Sequence, residues 1–70
     1  MIKVRFEKVG RDRQTWEQEL REVSYSSLYR AVKDRKALAS KEIDFEWDED
    51  STTTGAITAG GRDVGRFTVI

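Results

Sequence analysis

The chain contains neither cysteine nor histidine. The absence of cysteine excludes a disulfide framework, disfavours a small secreted scaffold and makes the reducing cytoplasm the expected location. The absence of both residues removes the usual general base at neutral pH, the thiolate nucleophile, and imidazole or thiolate metal sites. We therefore expect a cytoplasmic protein that is not an enzyme and that has no cofactor and no metal.

Long apolar runs and an excess of one charge are also absent. No stretch is apolar enough for a membrane span or a signal-peptide core, so we expect neither membrane insertion nor export. Thirteen basic residues balance 13 acidic ones in a chain of 70 residues. A net charge of zero gives no overall attraction to nucleic acid or anionic lipid. The length predicts one domain, residues 1–70, whose core is thin, so a homodimer built through an edge strand stays open.

One segment combines acidic and large apolar residues in strict alternation. From Glu42 to Asp48 every second residue is an acid, and the residues between them are Ile43, Phe45 and Trp47. Successive side chains of a strand point to opposite faces, so the pattern predicts a strand with one apolar face and one face of carboxylates. We expect Trp47 to be buried on the apolar face.

The first 23 residues predict a hairpin. Ile2, Val4 and Phe6 alternate with charged residues, as in a half-buried strand. A turn at residues 10–12 would bring aromatic residues and opposite charges together across two strands, although Gln18 would then face inward. The expected pairs are Phe6 with Trp16, Ile2 with Leu20, Arg5 with Glu17, and Lys3 with Glu19.

A helix is expected to begin after Ser24, because serine is a preferred N-cap. Basic residues crowd its last turns, where cations complement the helix dipole. The apolar stripe of this helix consists of Leu28, Ala31, Val32, Leu38 and Ala39.

The remaining residues predict a second hairpin, with strands at 55–59 and 65–70 and a turn at 60–63 that sets Ile57 opposite Phe67. The expected fold is α+β, a single antiparallel sheet with one helix packed on one face, in the order ββαβββ. The fallback is βαβββ, in which residues 14–38 form one helix of about 37 Å.

The carboxylates of the alternating strand are the main candidate site. Along a strand they would lie about 6.6 Å apart, close to the spacing of phosphates in nucleic acid. We expect them to bind the basic surface of a protein partner, as in a small bacterial or phage accessory protein. Alternatively, Lys3, Arg5 or Arg66 pairs with them and leaves a neutral surface. The candidate partner-binding residues are Glu42, Asp44, Glu46, Asp48 and Asp50.

Two further interpretations concern other ligands. Nucleic acid is the alternative partner, although zero net charge makes it a weak one. Asp48, Asp50 and Thr52 match the start of a calcium loop, but Thr53 and Ala59 stand where glycine and glutamate are needed, so we expect solvated turn residues. The candidate nucleic-acid-binding residues are Arg11, Arg13, Arg62 and Arg66 in the loops, with Arg30, Lys33 and Lys36 on the helix.

Overall fold

A computed structural model describes residues 1–70 as five strands and one helix in the order ββαβββ. All neighbouring strands are antiparallel, and their order across the single sheet is β2-β1-β5-β4-β3. The predicted fold class is confirmed, and the single long helix of the fallback is excluded. The elements are β1 (Ile2–Val9), β2 (Gln14–Leu20), α1 (Tyr25–Asp34), β3 (Ile43–Trp47), β4 (Thr54–Ala59) and β5 (Arg62–Val69).

From Ile2 to Phe6 the hairpin of β1 and β2 has the register that the sequence predicts, and all four expected pairs are present. Nearer the turn the register shifts by one residue, so that Val9 lies opposite Gln14 and the turn spans residues 10–13 rather than 10–12. The Phe6 and Trp16 rings stack with their centroids 4.7 Å apart. Gln18, whose inward position argued against a hairpin, accepts a hydrogen bond from the Trp16 indole N–H at 3.1 Å. A side chain that would be costly beside the core without a partner is thereby satisfied.

The hairpin of β4 and β5 differs from its predicted pairing. Its turn is the dipeptide Gly60-Gly61, with φ angles of 59° and 81°, rather than residues 60–63. Glycine is the residue that adopts two successive positive φ angles at no steric cost, so the turn is tight and Arg62 already belongs to β5. The register then shifts by one residue, and Ile57 lies opposite Gly65 instead of Phe67. The predicted Ile57–Phe67 pair is wrong.

Helix α1 begins where the sequence predicts and ends earlier than its apolar stripe suggests. Ser24 is the N-cap, and its hydroxyl accepts from the backbone N–H of Ser27 at 3.3 Å. Lys36 adopts a left-handed φ of 58°, and the N–H of Ala37 donates to the carbonyl of Val32 at 3.2 Å. This pattern closes the helix, so the predicted stripe residues Leu38 and Ala39 lie in the following loop. No helix in the structure is long and apolar enough to cross a membrane.

The core lies between α1 and one face of the sheet, and no second layer covers the other face. Trp47 departs from the prediction, because 43% of it is exposed. It does lie on the predicted face, where its ring contacts Phe67 edge-on, but it is the last residue of an edge strand. The core residues are Val4, Phe6, Val9, Trp16, Leu20, Leu28, Ala31, Val32, Ala37, Ile43, Ile57 and Phe67.

Candidate functional site

The acidic face of β3 lies at the margin of the uncovered face of the sheet. Asp44 and Glu46 are both exposed, and neither forms an ion pair. Their neighbours on β4 are Thr58 and Ala56, which carry no charge. The two carboxylates therefore face water without a cation beside them.

The basic residues of β1 lie too far away to neutralise this row. Strands β5 and β4 separate β1 from β3, which places Lys3 and Arg5 about 14 Å away at ordinary strand spacing. Arg5 instead pairs with Glu17 on β2, at 3.2 Å. Of the two alternatives left by the sequence, unpaired carboxylates describe the middle of the row.

The end of the row is neutralised. The Asp48 carboxylate accepts a hydrogen bond from the Thr54 hydroxyl at 2.7 Å and pairs with the guanidinium of Arg66. These two contacts, the Thr54 hydrogen bond first, hold the pKa of Asp48 below its usual value. Asp48 is thus bound to β4 and β5 within the chain, whereas the carboxylates before it form no ion pair and Asp50 is exposed in the following loop.

The outer edge of β3 also presents unpaired backbone groups. The carbonyl of Glu42 accepts from Gly60, in the turn after β4, at 3.1 Å, and the N–H of Asp48 donates to Thr54 of β4 at 3.0 Å. Bonded and non-bonded residues alternate along an antiparallel strand, so the even-numbered residues between them also bond to β4. The outward groups, which we call the β3 edge, belong to Ile43, Phe45 and Trp47, and of these only the Ile43 carbonyl has a partner, the Tyr25 hydroxyl.

Aromatic side chains lie beside this edge. Tyr25 and Phe45 meet edge-on with ring centroids 5.8 Å apart, and Trp47 meets Phe67 at 5.1 Å. The Tyr25 hydroxyl donates to the carbonyl of Ile43 at 2.7 Å, yet half of Tyr25 is exposed. The sequence places Tyr25 directly after Ser24, at the start of the predicted helix. Its position beside β3 depends on how the helix crosses the sheet, for which the sequence carries no signal.

A shallow cavity of about 480 Å³ lies at the beginning of β3. Glu42 and Asp44 contribute its two charges, and Tyr25 contributes its aromatic wall. No basic residue lines it. A cationic side chain would therefore find carboxylate oxygens and an aromatic ring in one recess.

A second cleft, of about 620 Å³, lies at the end of the sheet where the two hairpin turns meet. The turn after β1 is joined to β5 by a hydrogen bond from the N–H of Gly10 to the carbonyl of Val64, at 2.8 Å. The four predicted loop arginines are brought together here, although Arg66 also pairs with Asp48. The charged residues around this cleft are Lys8, Arg11, Arg13, Arg62, Asp63 and Arg66.

The basic residues that were predicted on the helix do not line this cleft, and Lys36 lies just beyond the end of α1. The Lys33 ammonium donates to three carbonyls, those of Leu38, Ala39 and Ser40, at 3.1–3.4 Å. Lys33 therefore holds the loop after the helix in place, while Arg30 and Lys36 are exposed elsewhere on the surface. The predicted nucleic-acid-binding set is divided between two regions.

Comparison of the chain with protein-family models, with characterised proteins and with solved structures finds no significant match. The candidate site is therefore defined by the geometry of this chain alone. It combines unpaired carboxylates on one face, exposed aromatic rings on the other and outward backbone groups between them.

Proposed function

We propose that the chain is a small, non-enzymatic protein-interaction module that binds a basic protein surface through the acidic face of β3. The observation that carries the proposal is that Asp44 and Glu46 are exposed beside uncharged neighbours, whereas Glu17 and Asp48 each pair with an arginine. Like charges at this spacing repel one another, so the isolated chain gives up some stability to keep them. A basic partner would relieve that repulsion.

Charge complementarity of this kind chiefly supplies rate and selectivity. Opposite potentials steer two surfaces together, and like charges reject wrong partners. On the other face of β3 lie two exposed rings, Trp47 of the strand itself and Tyr25 of α1. Large aromatic residues are enriched at the centres of interfaces. A partner that wraps the β3 edge would contact both the carboxylates and the rings.

The experiment compares two double variants that remove the same charge from opposite edges of the sheet. Asp44→Asn with Glu46→Gln changes the acidic face of β3, and Glu17→Gln with Glu19→Gln is the matched control on β2. Tagged wild type and both variants are used to capture proteins from a lysate of the source cells, with identification by mass spectrometry and a salt titration of each captured protein.

We expect basic proteins to be retained by the wild type and the control and to be lost from the β3 variant. Their retention should fall as salt rises, because exposed charges are screened within about 10 Å at 0.1 M salt. Equal capture by all three proteins, with all three still folded by circular dichroism, would contradict the proposal.

Nucleic-acid binding is the second candidate, and the convergence of the loop arginines on the 620 Å³ cleft favours it. Against it, the net charge of zero limits counterion release. We expect labelled single- and double-stranded oligonucleotides to remain free at physiological salt in a polarisation assay. Micromolar binding with a steep salt dependence, weakened by Arg11→Gln with Arg62→Gln, would place this candidate first.

A further inference from the structure

We infer that the partner binds by strand addition: an extended segment, in which basic and apolar residues alternate, pairs with the β3 edge as a sixth strand. The inference rests on the proposed function and specifies its mode. The occupant is a basic extended segment of another protein, and its main contact is the backbone of β3.

The β3 edge is open at Phe45 and Trp47. Phe45 and Trp47 direct their N–H and C=O groups away from the sheet, and no side chain of the chain bonds to them. An exposed row of this kind is a template for another strand. Proteins commonly block such edges with proline, a bulge or a lysine, and β3 has none of these.

The chemistry differs between the two sides of the edge. A residue that pairs with Asp44 or Glu46 would extend its side chain over the acidic face, where a lysine or arginine finds an opposite charge. A residue that pairs with Phe45 or Trp47 would extend over the aromatic face, where an apolar side chain would cover the exposed ring of Trp47. Alternation in the partner matches alternation in β3.

A second copy of this chain is disfavoured as the occupant by repulsion between carboxylates. Pairing β3 with its own copy would set carboxylates opposite carboxylates on the uncovered face. Pairing β3 with β2 of a copy would do the same, because Glu17 and Glu19 lie on that face of the other edge. Like charges directly across a ladder are destabilising, so the acids of both edges select against self-pairing and for a basic segment.

The test uses a defined probe, an eight-residue synthetic peptide in which lysine alternates with valine. Amide hydrogen exchange of the whole protein is measured by NMR with and without saturating peptide. Strand addition should slow exchange of the Phe45 and Trp47 amides at least tenfold. The Asp44 and Glu46 amides, which already bond to β4, should change little.

Two modified peptides separate the inference from the function on which it rests. One carries N-methyl groups on all valines and the other on all lysines, so that each removes one alternate set of N–H donors. Strand addition predicts that one set weakens binding at least tenfold while the other has little effect, and in an antiparallel arrangement the sensitive set is the valines. Equal weakening by both sets, with no added protection of Phe45 and Trp47, would overturn strand addition and leave the proposed function standing. Absence of any binding that depends on Asp44 and Glu46 would overturn both.

Discussion

The two edges of the sheet are both acidic, yet they are built differently. On β2, Glu17 has Arg5 at 3.2 Å, and the strand's tryptophan is 7% exposed beneath the guanidinium of Arg35, which lies 5.1 Å from its ring. On β3, Glu46 faces Ala56, and the strand's tryptophan is 43% exposed. On the β2 edge one acid is paired and the aromatic ring is covered within the chain, whereas on the β3 edge Asp44 and Glu46 are unpaired and the ring is half exposed.

This difference shows that acidic alternation alone does not define a binding strand. Each strand has two acids at alternate positions, Glu17 and Glu19 on β2 and Asp44 and Glu46 on β3, and the distinction comes from the neighbouring strand. β1 supplies cations to β2, while β4 supplies threonine and alanine to β3. A surface that remains unpaired when the chain has cations available elsewhere is the better candidate for a function outside the chain.

The largest expected effect compares the two tryptophans. Trp16→Ala removes a buried ring stacked on Phe6 and should lower the free energy of unfolding by about 3 to 5 kcal/mol. Trp47→Ala removes a half-exposed ring and should lower the free energy of unfolding by about 1 to 2 kcal/mol, well below the loss expected for a buried tryptophan. Urea denaturation followed by circular dichroism measures both.

Each variant keeps one tryptophan, so fluorescence reports the environment of the ring that remains. The Trp47 emission in a folded variant such as Trp16→Phe should lie at longer wavelength than the Trp16 emission in Trp47→Phe. Equal losses of stability, with matching emission, would mean that the two edges are packed alike and would contradict the comparison.

Gly55 provides the next test, because the absence of a side chain at this position leaves room for the Phe67 ring beside Trp47. An added Cβ at this position would lie 2.5 Å from the Phe67 ring and 2.6 Å from the carbonyl oxygen of Glu46. Gly55→Ala should therefore lower the free energy of unfolding by about 2 kcal/mol. It should also move Phe67 away from Trp47, which shifts the Trp47 emission further to the red.

The matched control is Gly60→Asn. Gly60 has a positive φ of 59° but no atom within 4 Å of an added Cβ, and asparagine tolerates this conformation. We expect a change within about 0.5 kcal/mol. If both substitutions cost the same, crowding against Phe67 is not what makes Gly55 necessary.

The registers of the two hairpins differ in how far the sequence predicts them. The pairing of β1 and β2 from Ile2 to Phe6 could be predicted, because alternation and opposite charges agree on one register, whereas the shift that sets Val9 opposite Gln14 could not. The predicted register of β4 and β5 was wrong, because the turn is the dipeptide Gly60-Gly61 rather than residues 60–63 and a one-residue bulge at Val64 then shifts the pairing again.

The candidate site was predictable in part for the same reason. The two faces of β3 follow from alternation, but the fate of each acid depends on strand order, which alternation does not encode. Arg66 therefore pairs with Asp48, and Lys3 and Arg5 remain too distant to pair with Asp44. The exposure of Trp47 likewise depends on β3 being at an edge.

A smaller effect concerns pH and the one neutralised acid of the row. Contacts with Thr54 and Arg66 lower the folded-state pKa of Asp48, so its contribution to stability is present above the unfolded value of about 3.9 and is lost as pH falls through the folded value. Asp48→Asn should be less stable than wild type at pH 7, and the difference should shrink as pH falls below about 4. Asp50→Asn, an exposed residue without a side-chain hydrogen bond, should show no such convergence in thermal melts across pH.

The smallest expected effect comes from two single variants, each of which removes one carboxylate from one edge. Their effects on the free energy of unfolding should have opposite signs, which makes them the most direct test of the two edges. Glu17→Gln breaks an exposed ion pair with Arg5 and should cost a few tenths of a kcal/mol up to about 1. Glu46→Gln removes a carboxylate that has acids two residues away on both sides and no cation, so it should leave stability unchanged or raise it by a few tenths of a kcal/mol. The differences are small, and paired urea melts at 20 mM and 500 mM salt separate them from packing effects, because salt should diminish both changes. A loss at Glu46 equal to that at Glu17 would reveal an internal cation for the β3 row and remove the physical reason for assigning that edge to a partner.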